Sequence, residues 1–408
     1  MVYKQKLGRL WAMGAAQPSK KRRFAWLPLV LAVFLGCFVL LFVACTDTAG
    51  GTPPAGASAP VGSGDPGYEA LTIRIEGLHE LNGGVAELTV ADLRTLPQHD
   101  LEASYRRTTG LFEEFFMSGP LLEDVIALAG GRIGDYAGLG MIGRDNYYCL
   151  FPRDIIDATP DLMLAVTVDG SPRLDEDKLP AWAAVQGQFG PYWVKQVEKI
   201  IMYEEVPQKA IASAWVFAGL TEGIALKDYE YYGATDKAVD LEQVFSRLDY
   251  VDSKAFFTMK SADGFKKNEA MNMVKSRYYI KIDGDDAPTN VAPYIKLGMN
   301  VQKIAWFSTN ADAVFFPDLL VQYMDAMTVR GDTGIPLDEV LYEVEMGTVK
   351  AAEFDLLGCA GEHCRVPGSE LGGAILVPLP GGKAKVVWGE GYDYPDIGSL
   401  LRIRLLSG

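Results

Sequence analysis

The pattern of apolar and polar positions divides the chain into three regimes. Residues 25–44, AWLPLVLAVFLGCFVLLFVA, form an uninterrupted uncharged run of 20 residues, about what a helix rising 1.5 Å per residue needs to cross a hydrocarbon core of roughly 30 Å. Residues 46–67 are almost entirely Gly, Ala, Pro, Ser and Thr with two Asp, too few apolar groups to order themselves. They predict a tether reaching roughly 25 Å as a flexible coil. From residue 68 onward, short β-favouring apolar runs alternate with turn signals and brief amphipathic helix starts, the pattern of an α+β protein.

Within the third regime a set of landmarks returns three times in the same order. A turn and an amphipathic helix start stand at 118–125, 240–244 and 333–340. Asp145, Asp263 and Cys359 follow the last valine of these segments by 20, 19 and 19 residues. β-rich runs ending in tight turns come next, at 164–170, 278–284 and 374–382, and closing apolar segments at 194–201, 301–306 and 400–406. The spacing predicts three related units, 68–206, 207–325 and 326–408. A basic cytoplasmic segment (1–24), a transmembrane or signal segment (25–45) and the 46–67 linker precede them. Unequal unit lengths argue against a solenoid.

Charge sets the topology. Lys20, Lys21, Arg22 and Arg23 lie directly before the apolar run and no acid precedes it, so the positive-inside bias keeps the N-terminus cytoplasmic and exports the chain beyond the run. Leu41-Phe42-Val43-Ala44-Cys45 resembles a lipobox with Phe42 as a weak fit, which makes Cys45 the candidate lipidation residue. A retained single-pass helix is the alternative, and both place the protein outside the cytoplasm, anchored to its membrane. The exported part carries 31 Lys and Arg against 53 Asp and Glu, a balance that argues against nucleic acid as a partner and favours solubility. Of its cysteines, Cys149 lies in an apolar run and reads as a buried thiol. Cys359 and Cys364 predict a disulfide closing a small loop; metal binding by Cys359, His363 and Cys364 is the alternative, short of a fourth ligand.

The segment 161–202 is the most informative. Leu162 to Val168 is β-favouring, Asp169-Gly170 is a turn signal, and Trp182 to Val185, a loop at Gly187 to Gly190, and Tyr192-Trp193-Val194-Lys195 come after it. This order resembles the sulfite-oxidase-type molybdopterin-binding domain, and the likeness extends over 71–203. Leu88 to Pro97 is similar to that family's strand-to-helix opening, Gly119 to Gly130 to its "G.PL.D.L..AG" helix, and Asp145-Asn146-Tyr147 to its "DGY" turn. The resemblance implies a mixed, β-rich fold of that type, repeated two to three times. It also implies a molybdenum-ligating cysteine after the opening helix, yet residues 101–110, LEASYRRTTG, contain none. Where the family's strand carries an arginine that grips anionic cofactor groups, this chain has Trp182. Lys195 matches the family's pterin-pocket lysine. Lys195, Trp182, Tyr147, Arg106 and Arg107 are therefore the candidate cofactor-binding residues, with Arg144 a further member of an anion site.

Other chemistry is poorly supported. Gly138-Leu139-Gly140-Met141-Ile142-Gly143 satisfies G-x-G-x-x-G, but a helix precedes it and a strand comes after, the reverse of a dinucleotide site; the glycines are expected between strands. Asp283-Gly284-Asp285-Asp286 lacks calcium-loop spacing and reads as a hairpin turn. No G-x-S-x-G occurs. Tyr229, Tyr231 and Tyr232, and Tyr278 and Tyr279, form clusters able to stack a ligand or pack in a core. With the metal-ligating cysteine and the cofactor-gripping arginine both missing, the expectation is a non-catalytic protein without cofactor, binding a small anionic ligand or a membrane or cell-surface protein. A molybdopterin-dependent oxidoreductase holding cofactor in the first unit, and a scaffold lipoprotein, are the alternatives.

Overall fold

In a computed structural model the described residues run from 64 to 406, apart from 80, 82, 83, 107–110, 249, 250, 252–254, 294, 297 and 348. The expected membrane segment, Cys45 and the linker up to residue 63 lie outside them. No helix among the described residues is long and apolar enough to cross a membrane. The architecture is β-rich, with several sheets and short helices.

Local signals explain the helices. Thr89 ends strand Val85–Thr89 and closes a capping box with Asp92, which starts helix Val90–Thr95, a reciprocal pairing that satisfies two otherwise orphaned amides. Helices Leu122–Leu128, Leu241–Phe245 and Leu337–Glu343 occupy the three expected helix starts, each burying a Leu and a Val. After each comes an antiparallel hairpin. Its loop holds Asp145 between Gly138–Gly143 and Tyr148–Pro152, Asp263 between Phe256–Ser261 and Lys266–Ala270, and Cys359 between Glu353–Gly358 and His363–Pro367.

Two sheets organise the chain. The first has the order Val85–Thr89, Thr72–Glu76, Val197–Tyr203, Gly138–Gly143, Tyr148–Pro152. The second has eight strands: Lys266–Ala270, Phe256–Ser261, Ile304–Ser308, Asp312–Phe315, Ser213–Val216, Leu400–Leu406, Glu353–Gly358 and His363–Pro367. From either edge this sheet reads hairpin, closing strand, helix-leading strand. At its centre Ser213–Val216 and Asp312–Phe315 pair in parallel, Ser213 opposite Asp312 and Val216 opposite Phe315.

One sequence expectation needs correction and another is refined. The glycines of Gly138–Gly143 lie within a fully buried strand, not between strands. A Cβ at Gly140 would come within 2.7 Å of the Tyr148 ring, and one at Gly138 within 2.6 Å of the Phe151 carbonyl, so close packing demands them. The run from Leu162 to Val168 is two strands: Met163–Ala165 pairs with Trp182–Ala184, and Thr167–Val168 with Phe112–Gly119.

The two large sheets meet at a polar seam. Tyr147 bridges to Glu269 across it, and Asn146 donates from Nδ2 to Glu269 Oε2 at 3.2 Å and to the Ala270 carbonyl at 3.3 Å. Glu269 has no solvent exposure. Lys267 Nζ lies 3.0 Å from its Oε1 and 3.8 Å from Asp145 Oδ2. Tyr148 stacks on Phe256 beside this pair, with ring centroids 5.2 Å apart. Burial pushes the Glu269 carboxyl up from 4.5 to about 7, against the opposing pull of Lys267 and Asn146. The folded state thus holds that proton more tightly than the unfolded chain, so this contribution to stability is full below pH 4.5 and is lost as pH rises through about 7. Glu269→Gln should flatten that part of the stability profile, read as urea midpoints across this pH range. An unchanged slope would show that Glu269 does not titrate at the seam.

Candidate functional site

The residues singled out around 161–202 converge on one aromatic cluster. Strand Trp182–Ala184 is wholly buried, as its apolar sequence requires. Trp182 has no exposed surface. Its ring meets Phe115 edge-on at 4.9 Å and lies 6.4 Å from both Tyr105 and Trp193, while Tyr105 stacks on Trp193 at 5.3 Å. Phe115 and Tyr105 come from the hairpin of His99–Arg106 and Phe112–Gly119, so Tyr105, within the stretch 101–110 where the resemblance implies a metal-ligating cysteine, helps enclose Trp182. Gln186 fixes that hairpin by accepting the Ser104 amide at 3.2 Å. Trp193 donates to the Gln188 carbonyl at 3.2 Å.

Cations stand over the tryptophan, but carboxylates match them. Lys195 Nζ lies 5.2 Å and Lys178 Nζ 5.6 Å from the centre of the Trp182 ring, within cation–π range. Lys195 donates to Asp177 at 3.1 Å. Lys178 reaches Asp175 at 2.6 Å and Asp177 at 3.3 Å. Partial burial disfavours the ionised Asp177, yet the bond and charge of Lys195, with those of Lys178, hold its carboxyl below the usual range. For Lys178, burial is likewise outweighed by Asp175 and Asp177, which keep its ammonium protonated beyond the usual lysine range.

The remaining candidates are dispersed. Tyr147 donates to the Pro191 carbonyl at 2.8 Å, which ties the hairpin turn to the loop carrying Trp193; burial raises its phenol above the usual range. Arg106 pairs through its backbone with Phe112 at the end of the hairpin, and Arg107 lies outside the described residues. Arg144 faces Glu198 at 3.7 Å. Cys149 is buried, and burial pushes its thiol up to about 12. The predicted disulfide is not formed. Cys364 points inward from strand His363–Pro367, whereas Cys359 is exposed at the hairpin end and accepts from Ser399 Oγ at 3.5 Å, so both are free thiols. His363, the third ligand of the alternative, turns to Asp355 at 3.4 Å.

Sequence reasoning passed over Arg94. It is buried in helix Val90–Thr95, pairs with Glu69 at 3.2 Å and donates to the Val166 and Pro172 carbonyls. Nothing in its helical context announces this role, because both acceptor carbonyls come from a loop more than 70 residues away.

These residues do not fit a molybdopterin. Its anionic groups need unmatched cations, and Lys195 and Lys178 already share Asp175 and Asp177; its ring system needs space that Trp182, Phe115, Tyr105 and Trp193 fill. A cavity of about 210 Å³ between Leu122, Arg153, Ile156 and Leu162 offers one arginine, already bound to Asp157 at 2.9 Å and to the Ile133 carbonyl at 2.7 Å.

No family model matches the chain, and no curated protein matches it in sequence. Among solved structures, the sulfane dehydrogenase SoxCD from Paracoccus pantotrophus is a distant likeness, at 15% identity and a TM-score of 0.30 over 60% of this chain and 77% of that one. At that level it leaves the reading of the site unchanged.

The packing separates structural from surface roles. Trp182→Ala should cost about 3–5 kcal/mol of folding stability, as for a large buried aromatic. Lys195→Ala, which removes a partly exposed ion pair, should cost no more than about 1 kcal/mol. Urea unfolding of both variants gives the comparison; equal losses would mean that Trp182 is not the packed centre of the cluster.

Proposed function

We propose that the chain is an exported, membrane-anchored protein built from related units of the molybdopterin-domain type, and that it binds a ligand or partner at the cell surface without catalysing redox chemistry. One observation carries this reading. The place where the resemblance puts an anion-gripping arginine holds Trp182, fully buried among Phe115, Tyr105 and Trp193, and the lysines above it are matched by Asp175 and Asp177.

The anchor rests on the 20-residue apolar run behind its basic cluster, with Cys45 as the lipidated residue. The division into 68–206, 207–325 and 326–408 is supported by the hairpin loops at Asp145, Asp263 and Cys359 and by the eight-stranded order that reads alike from both edges. Matching turns at Tyr232-Gly233 and Arg330-Gly331, all four residues at positive φ, add to it. The paired lysines disfavour a small anionic ligand in the first unit and leave an uncharged ligand or a cell-surface protein as the partner.

Purification of the full chain from cells supplied with molybdate and tungstate, and then metal and pterin analysis, tests the reading. Only traces of either metal are expected, with or without Lys195→Ala. Stoichiometric molybdenum or tungsten, lost in the Lys195→Ala variant, would establish the oxidoreductase alternative.

A further inference from the structure

We propose that the second unit carries a binding shelf for a neutral carbohydrate chain on the hairpin of strands Lys227–Tyr231 and Ala234–Asp240. Tyr229 and Tyr231 alternate onto one face of the first strand. Strand pairing sets Tyr229 opposite Asp236, and Tyr279, from strand Tyr279–Lys281, opposite Asp240 on the same face. Between them lies Ala238, small and buried, so the Tyr229 and Tyr279 rings meet above it with centroids 4.7 Å apart. Tyr231 stands 6.4 Å from Tyr229. Its hydroxyl lies 2.8 Å from the Ile295 carbonyl and 3.0 Å from Asn300 Oδ1, which fixes the ring before any ligand arrives.

Tyr232 completes the row. It stands edge-on to Tyr231, with centroids 4.7 Å apart, and is 62% exposed. Its φ is 50° and that of Gly233 is 81°, two left-handed positions in a row of the kind that favours Asn or Gly at the first. Arg330-Gly331 makes the same kind of turn in the next hairpin, and there Arg330 is bound to Asp396. The other non-glycine residues at positive φ among the described residues are Asn146, Asp169, Gln196, Lys303 and Glu345, all polar or charged. At this tip alone the strained position holds a large ring out in water, the kind of outlier from which a functional hypothesis starts.

Charge selects the occupant. Lys227 is matched by Asp240 at 2.5 Å, Lys237 by Asp228 at 2.5 Å, and Lys281 by Asp236 at 3.0 Å and Asp286 at 2.8 Å. Every cation of this hairpin and its neighbouring strand therefore has a carboxylate, which leaves nothing to attract phosphate, sulfate or uronate. The shelf offers the exposed Tyr232 ring and the half-exposed Tyr229 and Tyr231 rings for stacking, with Lys227 Nζ 5.1 Å from the centre of the Tyr279 ring, and carboxylate oxygens and phenols for hydrogen bonds to hydroxyls. A pyranose ring has an apolar face of C–H groups and a rim of hydroxyls, and a row of aromatic rings fits a chain of such sugars. This deepens the binding role proposed above, and molybdenum found in the first unit would leave it standing.

The test is calorimetric titration of the full chain, in a detergent without a sugar headgroup, with cellohexaose, chitohexaose, mannohexaose and hexagalacturonate. At least one neutral hexasaccharide should bind. Tyr232→Gly, which suits the turn and so preserves the fold, and Tyr229→Ala should each weaken binding by about three- to tenfold. Arg330→Gly, in the corresponding turn, should leave it unchanged. No binding of any neutral hexasaccharide, binding of hexagalacturonate alone, or binding indifferent to both tyrosine substitutions would overturn the proposal.

Discussion

The exclusion of water from Trp182 is the constraint on which the core around it depends. A large ring with no exposed surface must be enclosed on every side, and the enclosure recruits the His99–Arg106 and Phe112–Gly119 hairpin and the loop bearing Trp193. Lysines can stand over such a ring, because its face is electron-rich, but in a partly buried place they need counter-charges. Asp175 and Asp177 supply them. Packing and electrostatics thus remove together the space and the positive charge that an anionic cofactor would require.

The rest of the chain is held by a different device. Parallel pairing of Ser213–Val216 with Asp312–Phe315 joins four strands on either side into one sheet, so the core formed around Trp306, Phe354 and Ile403 is shared rather than partitioned. Glu343, on helix Leu337–Glu343, accepts from Trp306 and Tyr323 and pairs with Lys260, stitching that helix across the sheet. The joint to the first sheet is more polar. It relies on Asn146, Glu269 and Lys267. Strands from residues 213–315 and 353–406 thus share one eight-stranded sheet, with the hairpin that carries the tyrosine row outside it.

Local signals carried most of the legible part of the sequence. Asp and Thr caps, hairpin turns and apolar helix faces act over a few residues, so the helices after 89, 121, 240 and 336 and the loops at Asp145, Asp263 and Cys359 could be read directly. Parallel pairing across 99 residues could not, since its partners share no local motif. Gly138–Gly143 misled because glycine signals a turn on composition alone, and only the Tyr148 ring and the Phe151 carbonyl explain its place in a strand. At the candidate site the sequence showed no cysteine in residues 101–110 and a tryptophan at position 182. How that tryptophan is enclosed depends on Tyr105 and Phe115, far from it in sequence, and on Asp177, which meets Lys195 across a loop.

The proposal that no pterin is held beside Lys195 turns on the position of one indole. A crystal structure of the full chain, purified from cells grown with ample molybdate, would show it. The expected result is Trp182 enclosed by Phe115, Tyr105 and Trp193, with Lys195 bound to Asp177 and no density for a pterin beside them. Trp182 turned out of that cluster, with a pterin between residues 101–106 and Lys195, would contradict it.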